Sequence, residues 1–296
     1  MSRKRVVLLG EPTGWHAARL AAGLTARGHE AAIVQWGRLA ASVGPGSEAV
    51  EPAEVRAADA VVVRGMPGGG AVAHRLEEVI FRMNLLGRIA ARGTPVVNSP
   101  RSLEVAIDNH LSLCHLAAAG LPVPRTRVVQ DLDAARDAVR ELGGQCVMKP
   151  LFGSRGRGLV RLGSPADIDA LAATPDVPGG VFYVQEFVPH PGWDVRVVTV
   201  GGRIFAMRRV AAAGEWRTNI SCGGRGEACD PPAAWVEMAR AAASAIGADL
   251  AGVDILPTAD GRAVVLEVNG VPGWRGLEGA TGQAVTEAVV EFVESL

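Results

Sequence analysis

The chain has 296 residues, 48% of them apolar, with 30 basic and 31 acidic side chains and a net charge of -1. Such a composition buries a core for about two domains and excludes a disordered chain. The near-neutral charge excludes a long-range field for nucleic acid or a membrane surface, and the longest run free of charged residues, 109–124, holds two His and two Pro and is no bilayer span. Residues 6–10 open the chain as an apolar strand, too short for a signal-peptide core, so a cytoplasmic protein is expected. Residues 16–28 have helical spacing through Leu20 and Leu24 and close on Arg27-Gly28. Residues 31–35 and 60–64 read as strands. Residues 76–92 read as a helix with Val79, Met83, Leu86 and Ile89 on one face, and 95–98 as another strand. Alternating strand and helix predicts a parallel sheet covered on both sides. The turn Gly10-Glu-Pro-Thr-Gly14 lacks the G-x-G-x-x-G spacing, which argues against a dinucleotide site and a dehydrogenase. A second block is predicted to hold one helix over 103–119, a strand over 126–129, a capped helix over 131–142, and strands 146–150 and 159–162 around a glycine loop. From near Val181 the chain is predicted to be mostly β, with helices at 232–246 and 283–295. The fold class is therefore α/β, becoming α+β in the C-terminal part.

Cys114, Cys146, Cys222 and Cys229 form no C-x-x-C pair and share no ligand spacing with the six His, so free thiols are expected and zinc is not. Only Lys4 and Lys149 are lysine; the other 28 basic residues are arginine. Lys4 is expected in a frayed start. Lys149 lies inside an apolar strand, where a compact ammonium stands although arginine was chosen almost everywhere else. After it comes Pro150-Leu-Phe-Gly153-Ser154-Arg-Gly156-Arg-Gly158. Glycines let backbone N–H groups approach phosphate oxygens beside the lysine, although a plain hairpin has the same pattern. No Gly-Lys-Ser/Thr opens a helix, so this is no Walker loop.

Downstream, Gly252-Val-Asp254-Ile-Leu256 and Val264-Val-Leu-Glu267-Val-Asn269 flank Asp260-Gly261, a hairpin signal. With Asp260 and Gly261 as a two-residue turn, Ala259 pairs with Arg262 and Asp254 falls opposite Glu267, with Asn269 on the face of Glu267. Opposed buried carboxylates require a cation, and Asp, Glu and Asn offer hard oxygen ligands for magnesium or manganese; a solvated acidic edge is the alternative. Val184-Gln185-Glu186-Phe187-Val188, running into His190-Pro-Gly-Trp193, has the look of a hinge whose backbone reads a purine edge. Asp194 and Arg196 follow on one strand face. Arg196, Arg208, Arg209 and Arg217, with Asn219, are candidates for binding carboxylate or phosphate, against a bland reading as surface arginines. No Ser–His–Asp or Cys–His spacing suggests a nucleophile.

Taken in order, Lys149 with its glycine loop, Val184-Gln-Glu186-Phe187, Asp194-x-Arg196, Arg217-Thr-Asn219, and Gly252-Val-Asp254 with Glu267-Val-Asn269-Gly-Val-Pro-Gly273 resemble the ATP-grasp superfamily, and within it the RimK-like α-L-glutamate ligases. The resemblance implies a Rossmann-like N-terminal domain over 1–98, a central ATP-grasp subdomain over 99–183, and a C-terminal one over 184–296, with ATP between the last two. It implies that Lys149 holds phosphates under a lid that includes Gly153, Ser154, Gly156 and Gly158. It places Glu186 and Phe187 at the adenine, Asp194 near the ribose, Arg217 and Asn219 near the phosphates, and Mg2+ (or Mn2+) on Asp254, Glu267 and Asn269. It further implies ATP-dependent amide formation through an acyl phosphate, with glutamate as the amino acid and a peptide or small molecule, such as a methanopterin-type coenzyme, as acceptor. Arg208 or Arg209 would hold the substrate carboxylate or acyl phosphate, and Arg275 the amino-acid carboxylate. A homo-oligomer is expected; neither nucleic acid nor a membrane is. One departure stands out. Where the family has an Asp-Lys pair, this chain has Asp108-Asn109, which keeps open the alternative of a nucleotide-binding homologue without ligase activity.

Overall fold

The computed structural model describes residues 2–45, 47–66, 76–153, 156, 158–172 and 180–296. In chain order it places β1 (Arg5–Leu9), α1 (Trp15–Ala26), β2 (Glu30–Val34), β3 (Ala40–Gly44), β4 (Ser47–Glu51), α2 (Ala53–Arg56), β5 (Ala60–Val63), α3 (Leu76–Ala91) and β6 (Val96–Val97). Strands β2-β1-β5-β6 form a parallel sheet in that order, as expected from the alternating pattern. The ribbon β3-β4, absent from the sequence reading, pairs only with itself.

Next come α4 (Pro100–Ile107), α5 (Asn109–Ala118), β7 (Thr126–Val129), α6 (Leu132–Glu141), β8 (Cys146–Lys149), β9 (Val160–Leu162), α7 (Ala166–Ala172) and β10 (Phe182–Glu186). Strands β7-β10-β8-β9 form an antiparallel sheet. The single helix expected over 103–119 is two. Asp108 leaves the helical conformation and its carboxylate accepts from the N–H groups of His110 and Leu111, at 2.8 and 3.0 Å, capping a new helix. Asp108→Ala is expected to cost about 1 kcal/mol. That lowers the melting temperature by roughly 2 °C in a chain of this size, readable by thermal melting; an unshifted curve would show the cap to be idle.

The last part contains β11 (Trp193–Val200), β12 (Arg203–Val210), β13 (Arg225–Ala228), α8 (Ala233–Ala245), β14 (Leu250–Pro257), β15 (Ala263–Asn269), α9 (Arg275–Thr281) and α10 (Val285–Ser295). Its sheet runs β13-β12-β11-β14-β15, all antiparallel. One face carries α8, through Ala239, Ala242 and Ile246. The other shares a core with the N-terminal sheet: Val198, Phe205 and Met207 meet Val6, Leu8, Leu20 and the apolar face of α10. Gly23 lets α1 and α10 approach, since a Cβ there would lie 3.0 Å from Val290. The chain start is not frayed as expected. Lys4 Nζ donates to the carbonyl of Glu294 at 2.8 Å, and the Glu294 carboxylate takes His29 and Arg27, each at 2.8 Å. No helix among the described residues is long and apolar enough to cross a membrane.

Candidate active site

A cleft between the β7–β10 sheet and the five-stranded sheet gathers Lys149, Gly153, Gly156, Glu186, Phe187, Asp194, Arg209, Arg217, Asn219, Asp254 and Glu267. Ser154 lies outside the described residues, and Arg208, Gly158 and Asn269 are not on the cleft wall. Lys149 ends β8, paired with Tyr183 of β10, with Nζ 5.9 Å from the Tyr183 ring centre. Burial pulls its pKa down, and the charges of Glu267 and Asp254 oppose that pull. Lys149 and the Asp254/Glu267 pair of the late hairpin thus line the same cleft.

Asp254 does stand opposite Glu267, but by another route than the one read from the sequence. Pro257 pairs with Ala263 and Thr258 donates to the carbonyl of Arg262, so Ala259, Asp260 and Gly261 form a three-residue loop, with Gly261 at φ +83°. That shifts the register by one residue. A bulge at Leu266 then shifts it back, because Ile255 pairs with Val265 and Asp254 with Glu267.

Two arginines neutralise Asp254. It is 3% exposed; Arg196 Nη2 donates to its Oδ2 at 2.8 Å, Arg196 Nε meets Oδ1, and Arg209 Nη2 lies 2.8 Å from Oδ2. Burial alone would raise the Asp254 carboxyl, but Arg196 and Arg209 outweigh it and hold it below the usual range. Glu267 goes the other way. Burial and the Asp254 charge push it up, against the weaker pull of Arg196 and Lys149. Arg196 Nη2 is 3.7 Å from Glu267 Oε1, and Asn269 donates to the same oxygen at 2.9 Å. No cluster of three His, Cys, Asp or Glu forms a metal cage among the described residues. The donor set is instead the cleft-facing, under-neutralised Glu267, the Asn269 carboxamide oxygen and Asp254. Those are hard oxygens, and a divalent cation beside Glu267 would relieve its raised pKa, so the residues present fit magnesium.

Two expected arginine roles need correction. Arg209 lies on the cleft wall but is 4% exposed and already paired with two carboxylates, its Nε donating to Asp194 at 2.8 Å while it also holds Asp254. Arg208 points to the opposite strand face, donating to Glu227 at 2.6 Å beside the Trp193 ring. Asp194, expected near a ribose, is 1% exposed and takes Arg209 and the Thr218 hydroxyl, the latter at 2.7 Å. Its carboxylate accepts from Arg209 Nε at 2.8 Å.

Arg217 does face the cleft. Its Nη1 donates to the Gly156 carbonyl at 3.2 Å and Nη2 to Glu215 at 2.6 Å, which joins it to the glycine loop. Gly156 has φ +68°, and a Cβ there would fall 2.7 Å from Asn219 Oδ1, so only glycine fits. Gly158 stands against the Pro150 ring. Asn109 donates to the Pro150 carbonyl at 2.9 Å, tying α5 to the exit of β8.

At the far end of the cleft, Phe187 sits 5.9 Å from the rings of both Trp216 and His190, with the Arg161 guanidinium 4.0 Å over its face. Glu186 is held by Arg125 at 2.7 Å. Trp216 and Arg161 went unremarked in the sequence; the only signal for Trp216 is its place directly before Arg217.

A family model described as a RimK-like ATP-grasp domain matches residues 106–293. The tetrahydromethanopterin:alpha-L-glutamate ligase of Methanosarcina acetivorans is 32% identical over 99% of this chain and 99% of its own. A probable alpha-L-glutamate ligase of Teredinibacter turnerae is 32% identical over 98% and 95%. The solved structure of the ATP-grasp ligase PsnB with a phosphomimetic precursor variant, Mg and ADP has a TM-score of 0.76 and 28% identity over 99% of this chain and 98% of that one.

Proposed function

This chain belongs to the RimK-like ATP-grasp family and is an ATP-dependent ligase, and from that premise we propose that it joins L-glutamate through its amine to a carboxylate acceptor, a methanopterin-type coenzyme. The observation that carries this reading is the single cleft in which the interior ammonium of Lys149, the Asp254/Glu267 pair and the Arg217-tied glycine loop converge. The full-length similarity to a tetrahydromethanopterin:alpha-L-glutamate ligase supports the choice of acceptor.

The chemistry follows from charge. A carboxylate is a poor electrophile, and phosphorylation by ATP turns it into an acyl phosphate that an amine displaces, giving amide, ADP and phosphate. Lys149 donates to phosphate oxygens from a dry wall, where a point charge acts most strongly. Arg217, Gly153 and Gly156 line the other side and help to exclude water. Phe187 and Trp216 flank the base. Magnesium or manganese held by Glu267, Asn269 and Asp254 would supply neutralisation of the triphosphate charge.

The test is ADP release by the purified protein with ATP, magnesium, L-glutamate and a tetrahydropterin carboxylate, with mass spectrometry of the product. ADP release that requires both organic substrates, with a product heavier by one glutamyl residue, is expected. Nucleotide binding with no acceptor-dependent ADP release would replace the ligase by a nucleotide-binding regulator.

A further inference from the structure

Arg64 follows β5 at the point where the N-terminal sheet changes direction: β1 has β2 on one side and β5 on the other. Ligands of open parallel sheets enter at the carboxyl ends of the strands at such a switch. Gly10, which follows β1, leaves room there, since a Cβ on it would lie 3.3 Å from the Cβ of Arg64. The guanidinium stacks 4.3 Å from the ring centre of Trp274, which is fully buried, and Nη2 donates to the Pro272 carbonyl at 2.7 Å. Nε and Nη1 are buried and have no hydrogen-bond partner.

Among the described residues no acid pairs with it. Glu11, in the neighbouring β1–α1 turn, accepts from Gln35 at 2.7 Å, and Asp59 pairs with Arg5 at 3.0 Å. Residues 67–75, which follow Arg64 closely, contain no Asp or Glu. The other buried arginines are matched: Arg196 with Asp254, and Arg209 with Asp194 and Asp254. Burial pushes the Arg64 guanidinium down to about 9, so it stays cationic at neutral pH. A buried cation without a counter-ion is costly unless a ligand supplies the anion.

The position is tied to the reaction cleft without being on its wall. Pro272 lies in the loop leaving β15. A Cβ on Gly252 would fall 2.8 Å from both Pro272 Cβ and Arg196 Nη1, and Arg196 grips Asp254. Of the two organic substrates of an amide ligase, one presents its carboxylate to ATP in the cleft. The other keeps its carboxylates and needs an anchor beside the cleft. Arg275, the earlier candidate for that anchor, is exposed and lies 5.9 Å from the Trp15 ring.

We propose that Arg64 binds a carboxylate of the amino dicarboxylic acid that supplies the amine, taking L-glutamate at the switch point of the N-terminal sheet. The assignment rests on the ligase reading above and adds to it the anchoring residue. Calorimetric titration of L-glutamate into wild type, Arg64→Met and Arg64→Lys, with KM for ATP and for glutamate from ADP release, tests it. Removing one partner of a buried charge pair predicts a loss of glutamate affinity of at least ~30-fold in Arg64→Met. KM for ATP stays within about twofold, and Arg64→Lys falls between, since lysine keeps the charge but not the planar fork. Should Arg64→Met fail to fold, the lysine variant alone decides. Glutamate bound equally by all three proteins, or glutamate and ATP weakened together, would overturn the assignment. Wild type that binds glutamate but releases no ADP would sink the ligase reading and leave the Arg64 site standing on binding. Glutamate-dependent ADP release with unchanged glutamate affinity in the variants would do the reverse.

Discussion

Glu267→Gln is expected to lower kcat/KM for ADP release by on the order of 10² to 10³-fold, about 3–4 kcal/mol of transition-state stabilisation. Glutamine keeps the volume and still accepts from Asn269 Nδ2, which donates to Glu267 at 2.9 Å, so the hairpin survives and only the charge is lost. The charge matters because Glu267 is the less neutralised member of the pair: Asp254 has two guanidiniums, whereas Glu267 has Arg196 at 3.7 Å. A magnesium titration should therefore require a much higher metal concentration, or fail to saturate. Turnover within about tenfold of wild type at ordinary magnesium would show that Glu267 does not hold the cation. Asp254→Asn is a poorer test. It leaves Arg196 and Arg209 short of a buried partner, which costs about 3–5 kcal/mol of folding free energy and confounds the rate.

The same hairpin shows what the sequence can and cannot specify. Period-two alternation and an Asp-Gly turn were enough to oppose Asp254 and Glu267. The actual loop is one residue longer and Leu266 bulges, and the two displacements cancel. Alternation legislates faces, not bulges, because a bulge depends on twist and packing across the whole sheet. The arginines illustrate the converse. Arg208 and Arg209 are adjacent on one strand, so only one of them can face any given site. Which one is fixed by the pairing of Asp194 with Arg209 across β11 and β12, a long-range register with no local signal. Lys4 and Arg64 were illegible for the same reason. One is defined by the C-terminal carbonyl of Glu294 and the other by Trp274, each more than two hundred positions away. The broken helix at Asp108 was readable, since an aspartate three residues before an apolar run is a cap signal; a uniform apolar pattern hid it. The central strands of the N-terminal sheet needed no such long-range knowledge, because Val6–Leu9 of β1 and Ala60–Val63 of β5 are continuous apolar runs buried on both faces.

Lys149→Met should abolish most of the activity while leaving the fold as stable as, or more stable than, wild type. Methionine matches the length of the lysine stem and removes a buried charge whose desolvation already depresses its pKa. A melting temperature at or above that of wild type would exclude unfolding as the cause of the loss. The rate should fall by on the order of 10² to 10³-fold, as for other positioned charges. Lys149→Arg is expected to recover little. In a chain with 28 arginines and two lysines, arginine was the available choice, and the planar guanidinium needs more room than the Tyr183 wall gives a compact ammonium. The two cleft charges are also coupled. Lys149 pulls the Glu267 carboxyl down against burial and Asp254, so removing the lysine raises it further and weakens its hold on a cation. Lys149→Met and Glu267→Gln should then be strongly non-additive, the double variant losing little more than the worse single one. Costs that simply sum, in a four-protein cycle of kcat/KM for ADP release, would mean that the ammonium and the carboxylate serve different ends of the cleft, and that the phosphate role of Lys149 has to be assigned elsewhere.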